Sequence, residues 1–250
     1  MKKIALLIGS MLLFAASTAS AEHRLLVTDV VDPGHAEAEI AWEFVHYNGD
    51  VKGNASELGL SLGVGLFKNL ELDIALPYVL NEKIEIGDES EEVKGWGDLV
   101  VGAKYRILKE SPITLTTSFD VAFDTGSSSV SGEEHSLVYS PSVAVSKDLG
   151  HETKPYAFYR AMFDSNGPDA HILAVGVEKE LNHLVTLDAK FDTTFYVNAG
   201  DLRTYTFDVG AYFQVCKSFY VIPSLGISRL DADGADATAL KAGAALYFIY

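Results

Sequence analysis

Leu184-Val185-Thr186-Leu187-Asp188-Ala189-Lys190-Phe191-Asp192-Thr193-Thr194-Phe195-Tyr196-Val197 is the stretch on which the fold turns. Val185, Leu187, Ala189, Phe191, Thr193, Phe195 and Val197 fall on one face of an extended chain. Thr186, Asp188, Lys190, Asp192, Thr194 and Tyr196 fall on the other. A repeat of two belongs to a strand, whose successive side chains point to opposite faces. Soluble strands average about five or six residues. A strand this long, with one apolar and one charged face, fits a tilted membrane-crossing strand, which needs about 9–11 residues.

The same alternation recurs along the chain. It covers Ala36 to Tyr47, Leu58 to Leu66, Leu70 to Leu80, Trp96 to Leu108, Ile113 to Asp124 and Ser136 to Ser146. It continues, more weakly, over Pro155 to Phe163 and His171 to Glu180, and clearly over Arg203 to Val215 and Ala237 to Tyr250. Phe219 to Leu230 is blurred by Pro223. Together these make twelve strands, an even number, as single-chain bacterial barrels have. Short connections such as Lys68-Asn69, Lys109 to Ser111, Leu181 to His183 and Cys216 to Ser218 alternate with longer ones at about 48–56, 81–95, 125–134, 164–169, 198–202 and 231–236. Short turns at one end and longer loops at the other suit the outer membrane. The expectation is therefore an all-β chain: a single antiparallel transmembrane β-barrel of about 12 strands over residues 22–250. A soluble sandwich or lipocalin-like barrel would turn the apolar face inward, and it needs shorter strands and fewer of them.

The barrel strands are preceded by an export signal. Lys2 and Lys3 form its basic start, Ile4 to Ala16 its apolar stretch, and Ala19-Ser20-Ala21 a small-x-small cleavage site, so residues 1–21 read as a cleaved signal peptide. No later apolar run reaches the roughly 18–20 residues of a spanning helix. A mature chain that enters a membrane must then do so as a closed barrel. The formal charge of −16 becomes −18 once Lys2 and Lys3 are gone, which argues against nucleic acid as a partner. A lone Cys216 excludes an internal disulfide and a multi-cysteine metal site.

In lipid the apolar face must point outward, because a charge facing hydrocarbon costs about 2–4 kcal/mol at mid-depth. That assigns Glu71, Asp73, Asp98, Lys104, Arg106, Asp120, Arg160, Asp188, Lys190, Asp192, Asp208 and Lys241 to the lumen. Seven acids against five bases there favour cations or neutral solutes mildly. Twelve strands about 4.8 Å apart, tilted by about 40°, give a backbone diameter of about 24 Å and a free bore of about 10 Å. The bore admits a small solute and excludes a folded protein.

Other features read as bland. Asp231-Ala232-Asp233-Gly234-Ala235-Asp236 lacks the later Gly and distal Glu of a calcium loop and reads as a solvated turn. Glu82 to Glu92, rich in acids, reads as the longest solvated loop. The seven His residues show no H-E-x-x-H spacing, and His135-Ser136 lacks a third partner. No catalytic constellation, metal site or cofactor is expected.

The block Leu58 to Leu108 carries a family likeness. Its marks are the run Gly59 to Leu72, Leu76-Pro77-Tyr78, an acidic loop, Gly95-Trp96-Gly97-Asp98-Leu99 and Gly102-Ala103-Lys104-Tyr105-Arg106. With Thr28-Asp29 and Pro33-Gly34, it resembles the bacterial outer-membrane family labelled for the MetA pathway of phenol degradation, whose members are often described simply as transporters. The resemblance implies an outer-membrane location and a role in uptake of small, aromatic compounds. Outer-membrane barrels are also similar to this chain in ending on an aromatic strand, here Tyr247-Phe248-Ile249-Tyr250, that the barrel-assembly machinery reads. Two functional expectations follow: a passive channel or transporter for small solutes, or a structural or surface-interaction barrel. In the second, salt bridges and the segment Glu22 to Pro33 close the lumen.

Overall fold

The computed structural model describes residues 28–87, 89–110, 112–131, 136–199, 202–232 and 235–250. The signal segment, His135 and the middle of the Asp231–Asp236 turn lie outside the described residues. The elements are β1 (Ala36–Gly49), β2 (Val51–Phe67), β3 (Leu70–Ile86), β4 (Glu89–Trp96), β5 (Leu99–Glu110), β6 (Ile113–Phe123), α1 (Ser128–Ser131), β7 (Val138–Lys147), β8 (Thr153–Asp164), β9 (Asp169–Asn182), β10 (Val185–Val197), β11 (Arg203–Cys216), β12 (Phe219–Ala232) and β13 (Ala235–Ile249).

Every pairing is antiparallel, and the sheet closes where β1 meets β13, from Glu37↔Ile249 to Gly49↔Ala237. Closure leaves no free edge in the hydrocarbon, as a membrane-crossing sheet requires. Pro223 does not break β12. It stands exposed on the outside of the strand, where the ladder with β11 lacks pairs between Ser224 and Val221 while the register continues unchanged.

Twelve strands make the wall, and the thirteenth arises from an extension. The lower part of β3, Leu70 to Ala75, pairs with β5, while its upper part, Tyr78 to Ile86, pairs with β4. β4 and β5 follow one another across a break at Gly97-Asp98, where the Gly97 N–H donates to the Pro77 carbonyl at 2.9 Å. The acidic stretch expected as a solvated loop at 81–95 is thus a β3–β4 hairpin, and most of 48–56 likewise belongs to β1 and β2. Polar composition reads as loop, yet a strand beyond the hydrocarbon can carry charges on its wet face. Lys83 Nζ lies 2.9 Å from Glu85 Oε1 on that exposed face. The ammonium holds the Glu85 carboxyl below its usual range. A pair so exposed adds little stability. The free edge of β4 is covered by the loop at α1: the Ser127 N–H and Oγ both donate to the Trp96 carbonyl, at 2.8 and 2.9 Å.

Outside, large apolar side chains stand exposed on strand after strand, among them Ile40, Leu62, Ile74, Val101, Val143, Phe191, Phe207 and Leu246. A water-facing girdle of this kind would be an aggregation hazard, whereas in a bilayer it matches its solvent. Trp96, Phe123, Tyr139 and Phe163 ring the long-loop end, and Phe67, Tyr105, Phe213 and Phe248 the short-turn end. These are the aromatic girdles of an interfacial barrel. Tyr78 and Trp96 meet at 4.7 Å in one girdle, and Phe219 and Phe248 at 4.7 Å in the other. Phe191→Arg is therefore expected to destabilise the refolded barrel by about 2–4 kcal/mol. Phe191→Leu should cost less than about 1.5 kcal/mol. Urea unfolding in lipid vesicles measures both, and equal midpoints would refute a lipid-facing position.

Candidate functional site

The inner wall carries a layer of charge that runs from strand to strand. Lys241 of β13 lies 3.6 Å from Glu43 of β1 and 3.8 Å from Asp208 of β11. Lys190 of β10 lies 3.7 Å from Asp208 and 3.6 Å from Asp192. On the far wall Arg160 of β8 approaches Asp120 of β6 over the intervening β7 at 3.6 Å. Tyr156 donates to Asp188 Oδ1 at 3.0 Å.

Inward glycines make this layer possible. Lys241 reaches Asp208 over Gly226 of β12, where a Cβ would stand 2.0 Å from Asp208 Oδ1. Asp73 and Asp120 crowd over Gly102 of β5 in the same way, at 2.5 and 2.1 Å from a virtual Cβ. Longer side chains there would push the carboxylates off the wall.

The predicted lumen residues thus divide. Asp73, Asp120, Arg160, Asp188, Lys190, Asp192, Asp208 and Lys241 are half-buried on the inner face, while Glu71, Lys104 and Arg106 are buried toward the short-turn end. Arg106 fastens a turn: its Nη2 donates to the Lys68 carbonyl at 3.0 Å and to Asn69 Oδ1 at 3.4 Å. Asp98 departs from expectation. It lies in the β4–β5 break at the long-loop rim, and its Oδ1 accepts the Gly126 and Thr125 N–H groups at 2.9 and 3.2 Å. The sequence assigned Asp98 to the lumen lining, and the structure places it at the rim, where it holds the loop that follows β6.

Six acids absent from the sequence-based set also lie buried: Glu37, Glu39, Glu43, Glu57, Glu82 and Glu178. The first three and Glu178 sit on the polar side of alternating strands, a signal visible in the sequence. Glu82 was hidden by a bulge. Glu57 pairs with Val79 and Ser56 with Asn81, so Leu80 is the extra residue in β3. One extra residue reverses which side chains face inward. Below the bulge Glu71 is buried, and above it Glu82 and Ile84 are.

The short-turn mouth is crossed by the chain itself. Thr28, 1% exposed, shares a hydroxyl hydrogen bond with Ser146 of β7 at 2.8 Å. Its carbonyl accepts from Thr116 of β6 at 2.7 Å. Asp29 pairs with Lys154 of β8 at 3.8 Å, Val30 is buried, and the Val31 N–H donates to Glu71 Oε2 at 2.9 Å. The strap then reaches β2, where a Cβ on Gly65 would stand 2.2 Å from the Asp32 carbonyl oxygen. Residues 28–32 therefore span the inside of the wall from β8 to β2.

Apolar side chains share the inner wall with these charges. Phe158, Met162, Ile172 and Ala174 pack with Ala122 and Val138 on β6 to β9. Leu202, from the β10–β11 connection, packs on Tyr47, Val51 and Ile84 of β1 to β3. Tyr196 packs against both groups. Among the described residues no three His, Cys, Asp or Glu side chains converge closely enough to hold a metal ion.

No family profile matches the chain, and no curated protein matches it. Solved structures do. The COG4313 outer membrane channel from Pseudomonas putida F1 superposes with a TM-score of 0.75 at 14% identity, covering 92% of this chain and 100% of that one. The CymD monoaromatic hydrocarbon channel follows with a TM-score of 0.54 at 8% identity, covering 88% of this chain and 89% of the other. The KdgM porin gives 0.53 at 14% identity, covering 82% of this chain and 97% of the porin. At these identities the likeness is one of fold: the chain has the closed antiparallel barrel of outer-membrane proteins.

Proposed function

We propose that this chain is an outer-membrane channel through which small solutes pass passively, with aromatic and apolar compounds as the favoured class. The observation that carries the reading is the inner wall. A barrel serving only as a wall filler has no need of the apolar group that Phe158, Met162 and Ile172 form on β6 to β9 about the Arg160–Asp120 pair, beside the Lys190–Asp208–Lys241 charges. An apolar solute can shed water against this group while it passes the charges. The fold shared with a channel described as one for monoaromatic hydrocarbons supports the solute class. In this reading the signal at residues 1–21 exports the chain, the assembly machinery reads the terminal strand, and the short turns face the periplasm.

A second reading, a barrel closed at rest, is favoured by the strap at residues 28–32. The two combine into a gated channel. The test is planar-bilayer recording of the refolded protein, with and without the strap. Discrete conductance steps, accompanied by faster entry of toluene-sized solutes into proteoliposomes, are expected. Absence of steps from both forms would leave the structural barrel as the better reading.

A further inference from the structure

We propose that Glu43, Glu57 and Glu82, together with Tyr47, form a binding site for a small organic ammonium cation near the extracellular mouth of the lumen. Glu43 and Glu57 are direct partners across β1 and β2. Glu82 is opposite Ala55, two residues from Glu57 along β2. The β3 bulge turns Glu82 inward, so all three carboxylates face the same interior region. Glu57 is 6% exposed and Glu82 2%. Neither carboxylate has a hydrogen-bond partner for either oxygen among the described residues, and Glu43 Oε1 lacks one as well.

Buried carboxylates without donors are costly, so the arrangement calls for a proton or a cation, and a cation alone would leave all three acids charged and paired. The wall supplies little. Lys241 touches Glu43 Oε2 at 3.6 Å and is shared with Asp208. The acids do not converge into a cage for a bare metal ion. An ammonium is less demanding. Its three N–H donors reach oxygens about 2.7–2.9 Å away in different directions, and so can bridge carboxylates on neighbouring strands. The surroundings suit an organic substituent. Val45, Tyr47, Val51, Ile84 and Leu202 form one apolar group beside the acids, with Tyr196 against it. A cation bearing an aromatic or aliphatic group satisfies both halves of the site.

The inference deepens the channel reading by naming a solute class, yet its test needs no flux. Isothermal titration of the full barrel in detergent at pH 7 compares benzylammonium with benzyl alcohol. Benzylammonium is expected to bind at least tenfold more tightly, and added salt should weaken it. Glu57→Gln/Glu82→Gln keeps shape while removing charge, and should lose at least tenfold in affinity. Each single Gln variant, read the same way, should lose part of it. The proposal is overturned by no binding to the wild-type barrel, by equal binding of the amine and the alcohol, or by unchanged binding in the Gln variants. Proton uptake without amine binding would overturn it too, since the carboxylates would then be neutralised by protons alone. A barrel that binds the amine yet passes no current would fail as a channel and leave this site standing.

Discussion

Replacing Thr28–Asp32 by a Gly-Ser segment of equal length raises the conductance of the barrel about fivefold or more. The figure follows from size: an extended chain with its side chains is about as wide as the free bore of about 10 Å. The strap has four attachments inside the wall, at Ser146, Thr116, Lys154 and Glu71. None belongs to the closed ladder of the barrel, so their loss should leave folding intact. Gly65→Val provides a second route to the same result. Its side chain would collide with the Asp32 backbone and displace the strap without shortening it. A lock tests the converse. Thr28→Cys/Ser146→Cys, in a Cys216→Ser background, places two sulfurs where hydroxyls now meet at 2.8 Å. Oxidation should hold the conductance at its low level, and reduction should restore wild-type behaviour. Conductance indifferent to strap replacement and to Gly65→Val would refute the gate.

Lys241→Met is expected to destabilise the barrel by about 3–5 kcal/mol, the cost of leaving buried charges without a partner. Lys241 stands between Glu43 and Asp208, and all three side chains are at most 15% exposed. Asp208 keeps Lys190 at 3.7 Å, so the greater loss falls on Glu43. Adding Glu43→Gln should therefore recover most of the stability. Urea unfolding of the refolded proteins in vesicles measures all three states. Removing the cation also makes the charge layer more acidic, so the reversal potential of the surviving pore should move toward cation preference. A single variant as stable as wild type would show that Lys241 is solvated rather than embedded in the layer.

The legible part of the site was the part written in alternation. Lys190, Asp192 and Asp208 could be placed on the inner wall because their strands repeat without interruption. Asp98 and Glu82 could not. Asp98 falls in the break between β4 and β5, and Glu82 lies beyond the bulge at Leu80. At Leu80 a bulge resets the phase, at Gly97-Asp98 the strand is interrupted, and nothing in the residue types announces either. The β3–β4 hairpin was missed for a different reason. Its acids resemble a loop, while the Lys83↔Glu92 and Glu85↔Ser90 pairings are backbone events open to any side chain that faces water.

The expectation of an even barrel rested on period, strand length and turn spacing, and the described structure agrees with it. Sequence by itself could determine this because lipid imposes a rule on every strand: one face apolar, and no backbone group unpaired. Which charges meet was left to the tertiary structure. Lys241 finds Asp208 across an intervening strand only because Gly226 leaves the space. Thr28 finds Ser146, 118 positions away, only because closure brings β7 to the mouth where the strap enters. Such contacts depend on register and barrel closure, which are cooperative properties of the whole sheet.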